Sequence, residues 1–267
     1  MDGLDRKTRG RTSSERLRAL DAYVVHCESA LLTRTEGAWA SAPFVDLGFG
    51  EHPWTTLESA RAFRRLQPAL RVVGVELEAA RAEAAHAAHA APLTEFRQGG
   101  FALPLAPGER ARLVRALNVL RSYPAEHVPE AHRLLGEALL EGGLLVEGSA
   151  DPTGSITGVH LLRREGGALR REALLLHTDF THGFAPMLFR DWLPRDLRRR
   201  VRPGEPIHAF LGAWTEAWQG VRAGLAPPQA FRASALRLAE RVEGVATDAW
   251  LLDGGYLRWQ PAGGVPL

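Results

Sequence analysis

Residues 45–56 read Val-Asp-Leu-Gly-Phe-Gly-Glu-His-Pro-Trp-Thr-Thr. An apolar run from Pro43 to Val45 leads into an aspartate, two glycines one residue apart, a proline and two threonines. This pattern predicts a buried strand, a glycine turn and the start of a helix. Such a turn lets backbone approach a ligand closely and aims unpaired helix N–H groups at it. The neighbouring side chains then discriminate between ligands. A dinucleotide fingerprint has a third glycine at position 53, which is Pro53 here. Asp46 would also set a carboxylate against a pyrophosphate, which is electrostatically unfavourable. Both features weaken a nicotinamide reading. A cofactor with an ammonium group at this end would instead welcome Asp46. S-adenosylmethionine is such a molecule: its methionine end has an ammonium and a carboxylate, and its centre is a sulfonium cation. Gly48 and Gly50 leave room for it, and the helix start suits its carboxylate.

Glu76 ends the next strand-like run, 26 residues after Gly50. A carboxylate there can accept hydrogen bonds from both hydroxyls of a ribose. That supports a nucleoside ligand without choosing among nucleoside cofactors.

The elements that must position these residues follow from periodicity. Residues 14–33 have helical spacing with Ser14 as N-cap, behind a polar basic arm. Strands are expected at 43–47, 70–76, 93–98, 112–118 and 144–147. Helices are expected from Thr55, where Thr55-x-x-Glu58 has capping-box spacing, to about Gln67, then at 77–90 and 128–140, the last closed by Gly142-Gly143. This alternation implies a mostly parallel sheet covered on both faces, with ligands at the carboxyl ends of the strands. Beyond residue 151 the pattern changes. Residues 156–163 and 168–177 read as a hairpin, 187–245 as mostly helical, and 250–259 as a final hairpin around Gly254-Gly255.

The D-L-G-F-G turn, the acidic end of the second strand and the five-strand alternation closed by a hairpin resemble class I S-adenosylmethionine-dependent methyltransferases over roughly residues 40–180. The runs RALNVLRSYP, GGLLVEG and PGEPIHAFL resemble a group of uncharacterised bacterial methyltransferase-like proteins. The resemblance implies a Rossmann-like α/β sheet, mostly parallel with a C-terminal antiparallel hairpin, with N- and C-terminal helical additions. It divides the chain into a basic arm and helix (1–40), an S-adenosylmethionine-binding domain (41–185) and a mostly helical extension (186–267). Carried over by residue, Asp46, Gly48 and Gly50 match the cofactor loop and Glu76 the ribose carboxylate. Many members have an aspartate for the adenine amino group where the third strand here ends Gln98-Gly-Gly-Phe101; Gln98 can offer an amide oxygen, and Phe101 can pack on the ring. The acceptor then belongs past the fourth strand, where Asn118 and Tyr123 are the catalytic candidates and Arg121 is a candidate for holding an anion. Glu147, at the expected end of the fifth strand, is a further substrate-binding or general-base candidate. The absence of a D/N-P-P-Y run after strand four disfavours the commonest amino-group methylases of bases and glutamine.

Bulk composition narrows the setting. The chain has 267 residues, 45% hydrophobic and 24% charged, an ordinary balance for a globular core. Its single cysteine, Cys27, precludes an intrachain disulfide and fits a reduced cytoplasmic setting. No apolar run suits a membrane span or a signal peptide. A net charge of +2 makes no global case for nucleic acid. Two local runs, Arg6–Arg11 and Arg195–Arg202, keep RNA open as an alternative to a favoured small-molecule acceptor. His86-x-x-His89 and the His177/His182 pair lack accompanying cysteines or a carboxylate trio, so no metal site is expected. A non-catalytic cofactor-binding protein and a nicotinamide oxidoreductase are the remaining alternatives, and the oligomeric state is not legible.

Overall fold

A computed structural model describes residues 13–267. The basic run Arg6–Arg11 lies outside the described residues. The chain opens with α1 (Arg18–Cys27) and α2 (Ser29–Thr33), followed by β1 (Phe44–Leu47), α3 (Trp54–Arg64), β2 (Val72–Glu76), α4 (Ala79–His89), β3 (Thr94–Gln98), β4 (Ala111–Leu117), α5 (Val128–Glu137) and β5 (Leu139–Ala150). The long strands β6 (Ile156–Glu165) and β7 (Ala168–Thr178) come next. Then α6 (Arg195–Arg198), α7 (Pro206–Val221), α8 (Pro227–Ala239), α9 (Ala249–Asp253) and β8 (Tyr256–Trp259) complete the chain.

The strands form one eight-stranded sheet in the order β3-β2-β1-β4-β5-β6-β7-β8. β1 pairs in parallel with both β2 and β4, and β2 pairs in parallel with β3. β8 pairs antiparallel with β7. The 3-2-1-4-5 start is that of a doubly wound Rossmann-like sheet, whose strand order reverses between β1 and β4. Every residue of β1, β2 and β4 is buried, as expected of central parallel strands covered on both faces. The register sets Asp46 beside Gly74 and Arg115, and Gly74 beside Phe96. Helix α3 reaches that row through Thr56, which donates to Asp46, and α4 reaches it through Ala85, packed with Phe96. One face of the parallel half therefore carries both α3 and α4.

The chain divides into two compact units. The first holds the described residues up to Glu147 together with Arg163–Arg170, and the second holds Gly148–Leu162 and Arg171–Leu267. The core of the second surrounds Trp214, which is fully buried, stacked on Phe189 at 5.5 Å and edge-on to Phe231 at 5.7 Å. Its indole N–H donates to Ser234 Oγ at 3.1 Å, so the ring is buried without a stranded donor. Among the described residues no helix is long and apolar enough to cross a membrane.

Several expected element boundaries move, each for a local reason. The segment 14–33 is two helices that break at Glu28, whose backbone leaves helical geometry at φ −118° and ψ 23°. Ser14 does not cap α1; its hydroxyl donates to Glu58 at 2.6 Å. Thr55 and Glu58 form no capping box, because Thr55 lies inside α3 and Glu58 is turned to the N-terminal segment. Helix α5 ends at Glu137, and Gly142 and Gly143 lie within β5. Gly142 has φ +82°, and a Cβ on Gly143 would meet the Leu140 carbonyl at 2.8 Å, so these glycines permit a strand distortion rather than a helix end. The expected final hairpin is α9 followed by β8, which pairs with β7 instead of folding on itself. The hairpin between β6 and β7 turns at Gly166 and Gly167 (φ +60° and +81°), as a tight two-residue turn requires.

Candidate functional site

The β1–α3 turn lies where the strand order reverses, and its glycines are required there. Gly48 and Gly50 have φ of +77° and +86°, in the region where a side chain is strained. A Cβ on Gly48 would also lie 2.7 Å from Val119 Cγ2, so the residue after Asn118 packs directly on the turn. Gly48 N–H continues the parallel ladder by donating to Val75 O at 2.7 Å. Between the glycines, Phe49 anchors the turn in a small core with Ala85, Phe96 and the half-buried Leu57. Its ring meets Phe96 edge-on at 5.5 Å.

Glu76 closes the other side of the turn. It is buried, and its Oε2 accepts the Gly50 N–H at 2.9 Å. Its Oε1 accepts the N–H groups of Leu77 and Glu78 at 2.9 and 3.3 Å. The glycine turn and the end of β2 are thus one hydrogen-bonded unit. Pro53 precedes α3, whose first turn has no side-chain cap hydrogen bond among the described residues. Its leading N–H groups therefore remain the positive end of an 11-residue helix.

The third- and fourth-strand candidates also converge. Gln98 ends β3 and its amide donates to Leu77 O at 3.3 Å, just beyond Glu76. Phe101 and Tyr123 are both buried and pack edge-on with centroids 5.4 Å apart. Asn118 has φ +61°, one of three non-glycine residues with positive φ among those described. A strained residue at the end of the central strand is characteristic of functional sites. Arg121 lies in the single 3-10 turn that follows, Leu120–Ser122.

Two expected site residues are placed differently. Asp46 does not face an open mouth. Its Oδ1 accepts Arg115 Nε at 2.9 Å, and its Oδ2 accepts the Thr56 hydroxyl at 2.7 Å, with Thr55 at 3.4 Å. These contacts tie Asp46 to β4 and to the first turn of α3. Glu147 does not end its strand, since β5 continues to Ala150. It is buried, with Oε2 at 3.3 Å from His132 Nε2 and Oε1 without a hydrogen-bond partner.

The Asp46 contact belongs to a larger buried network. Arg115 bridges Asp46 to Asp21 of α1, donating to Asp21 Oδ1 at 2.8 Å. Ser59 of α3 donates to both Asp21 oxygens, at 2.9 and 2.8 Å, and accepts from Arg115 at 2.7 Å. Burial drives the Asp21 carboxyl up to about 7, partly offset by Arg115 and by the Ser59 hydroxyl. Burial acts against the Arg115 charge, but attraction to Asp46 and Asp21 outweighs it and raises its pKa. The sequence signal for this network was an arginine in the middle of an apolar strand, RLVRALN, a position that only a paired charge tolerates.

The remaining charge and histidine features have local partners. Arg198 pairs with Asp191, and Arg200 and Arg202 both pair with Glu205, at 3.5, 3.0 and 3.1 Å. His86 Nδ1 lies 3.1 Å from Phe96 O, and His177 is buried against Tyr256. Burial lowers the His177 pKa to about 4, so it is neutral at pH 7.

No protein-family model matches the chain, and neither does any curated protein. Solved structures do resemble it. The CcbJ methyltransferase from Streptomyces caelestis is 22% identical, with 64% of this chain covering 74% of that one at a TM-score of 0.38. Magnesium protoporphyrin IX methyltransferase from Synechocystis PCC 6803, with bound SAH, is 18% identical over 51% of this chain and 55% of its own, TM-score 0.37. LepI in complex with SAM is 21% identical over 45% of this chain, TM-score 0.35. The chain spans only 30% of the LepI chain, and the same share of a citrinin polyketide synthase CMeT domain structure. The chain is similar to these proteins, and at such TM-scores the likeness carries no functional assignment.

Proposed function

We propose that this chain binds S-adenosylmethionine at the β1–α3 turn and transfers its methyl group to a small-molecule acceptor. The observation that carries the proposal is the buried Glu76 carboxylate, bonded to Gly50 of a two-glycine turn at the switch point of a doubly wound sheet. The residues fit the cofactor at most positions. A carboxylate oxygen has more than one lone pair, so Glu76 can accept ribose hydroxyls while holding the turn. The uncapped first turn of α3 suits the methionine carboxylate. Gln98, at the end of β3, and Phe101, three residues on, are assigned to adenine. Asp46, bonded to Thr56 and Arg115, is assigned to holding α3 and β4 under the turn.

When bound, S-adenosylmethionine supplies an electrophilic methyl group on a sulfonium. The chain then has to align an acceptor and receive its proton where it carries one. Asn118 is assigned to orienting the acceptor through its amide. Tyr123, braced by Phe101, forms the wall and relays a proton, and Arg121 holds an anionic group on the acceptor. Residues 41–185 are assigned to cofactor binding, with 1–40 and 186–267 as additions that shape the acceptor side. A cytoplasmic enzyme fits the single cysteine.

Transfer of labelled methyl from S-adenosylmethionine to fractionated metabolites, protein and RNA tests the assignment. Label is expected in the metabolite fraction. Label confined to RNA would make the chain an RNA methyltransferase, although three arginines of the described basic run pair with Asp191 and Glu205. Cofactor binding with no label in any fraction would make it a non-catalytic binding protein.

A further inference from the structure

Four elements meet beneath the glycine turn through one buried cation. Arg115 of β4 is bonded to Asp46 of β1, Asp21 of α1 and Ser59 of α3, and it also donates to the Thr55 carbonyl at 3.3 Å. All four side chains are buried, with Arg115 at 3% and Asp21 at 7% side-chain exposure. Burying two carboxylates with one guanidinium is costly, and it is tolerated only where the hydrogen bonds are nearly all made. Here they are directed: Asp46 fixes the start of α3 through Thr56, and Asp21 fixes Ser59 one turn further along the same helix. A second tie joins α3 to the segment just before α1, because Glu58 accepts from the Ser14 hydroxyl and the Glu15 N–H.

We propose that Asp21 is a positioning residue for the cofactor turn, so that the N-terminal helix is a working part of the cofactor mount and not only a cover on the sheet. This rests on the assignment of the β1–α3 turn as the cofactor site. Removing Asp21 leaves Arg115 with a single carboxylate, and Ser59 with only Arg115 and its own helix's Thr55 carbonyl. Arg115 then settles onto Asp46, and Asp46 loosens its hold on Thr56 and the start of α3. The groups facing Asp21 are Arg115 of β4, Asp46 of β1, and Glu58 and Ser59 of α3. Three of these four lie on the strand–turn–helix unit that carries Gly48 and Gly50, and Arg115 contacts it directly.

The test is calorimetric titration of the full chain with S-adenosylhomocysteine. D21A is expected to raise Kd at least tenfold. D21N keeps an acceptor for Arg115 and a group for Ser59, and it is expected to return Kd to within about threefold of wild type. L20A, on the same helix and buried but outside the network, is expected to lower thermal stability while leaving Kd unchanged. Should D21A fail to fold, S59A serves in its place, with an expected increase of threefold or more. Wild-type Kd in D21A or S59A, or an equal loss in L20A, would overturn the positioning role. Failure of the wild type to bind at all would instead overturn the cofactor assignment, so the two failures are distinguishable.

Discussion

Gly48 carries two constraints at once, a φ of +77° and the side chain of Val119 where its own Cβ would be. G48A should therefore destabilise the fold by about 1–3 kcal/mol, from backbone strain and overpacking together. It should also abolish cofactor binding, and urea titration beside calorimetry separates the two effects. Asn118 offers the converse experiment. Glycine accepts φ +61° without strain, so N118G keeps the backbone and deletes only the amide. If Asn118 orients the acceptor, N118G leaves cofactor affinity near wild type while kcat falls at least tenfold. An unchanged kcat would remove it from the catalytic set. At this scale Gly48, Gly50 and Glu76 were legible because turn chemistry and spacing are local properties of the chain. Asp46 was only half legible: its place at the end of β1 was plain, but its partner Arg115 is 69 residues away.

Helix α1 is held to the sheet by a charge that burial has disturbed. The Asp21 pKa rises from 3.8 unfolded to about 7 folded, so between those values the folded chain binds this proton more tightly. Its contribution to stability is therefore complete below about pH 3.8 and is lost as pH rises to about 7, with no further change above. D21N should flatten this part of the profile, which appears as a smaller fall in urea midpoint from pH 4 to pH 7 than in wild type. A parallel fall in both proteins would show that Asp21 does not titrate in this window. The elements themselves were legible where periodicity is strong. β1 to β4 and α3 to α5 lie within a few residues of their expected positions. Two of the failures share a cause, glycine pairs whose role depends on distant chain. Gly142-Gly143 stopped no helix, and Gly255 is glycine because a Cβ would collide with the Thr178 carbonyl when β8 joins β7.

The whole molecule combines a parallel, doubly wound half with long antiparallel strands and a helical C-terminal part. The alternation of strands and helices made the first half readable, because each parallel crossover needs its helix. The compact units divide within β5, β6 and β7, each of which contributes residues to both units. No local signal marks such a division. The second unit depends on Trp214, stacked on Phe189 and bonded to Ser234. W214A should cost about 3–5 kcal/mol, the usual range for emptying an aromatic core site, measured by chemical denaturation. A cost below about 1 kcal/mol would mean the surrounding rings close the space. The central claim concerns the cofactor, and one measurement reaches it most directly: calorimetric titration of wild type and E76A with S-adenosylhomocysteine and with NADH. Wild type should bind S-adenosylhomocysteine and not NADH, and E76A should lose at least tenfold in affinity while remaining folded. Binding of NADH alone, or an unchanged affinity in E76A, would contradict the account.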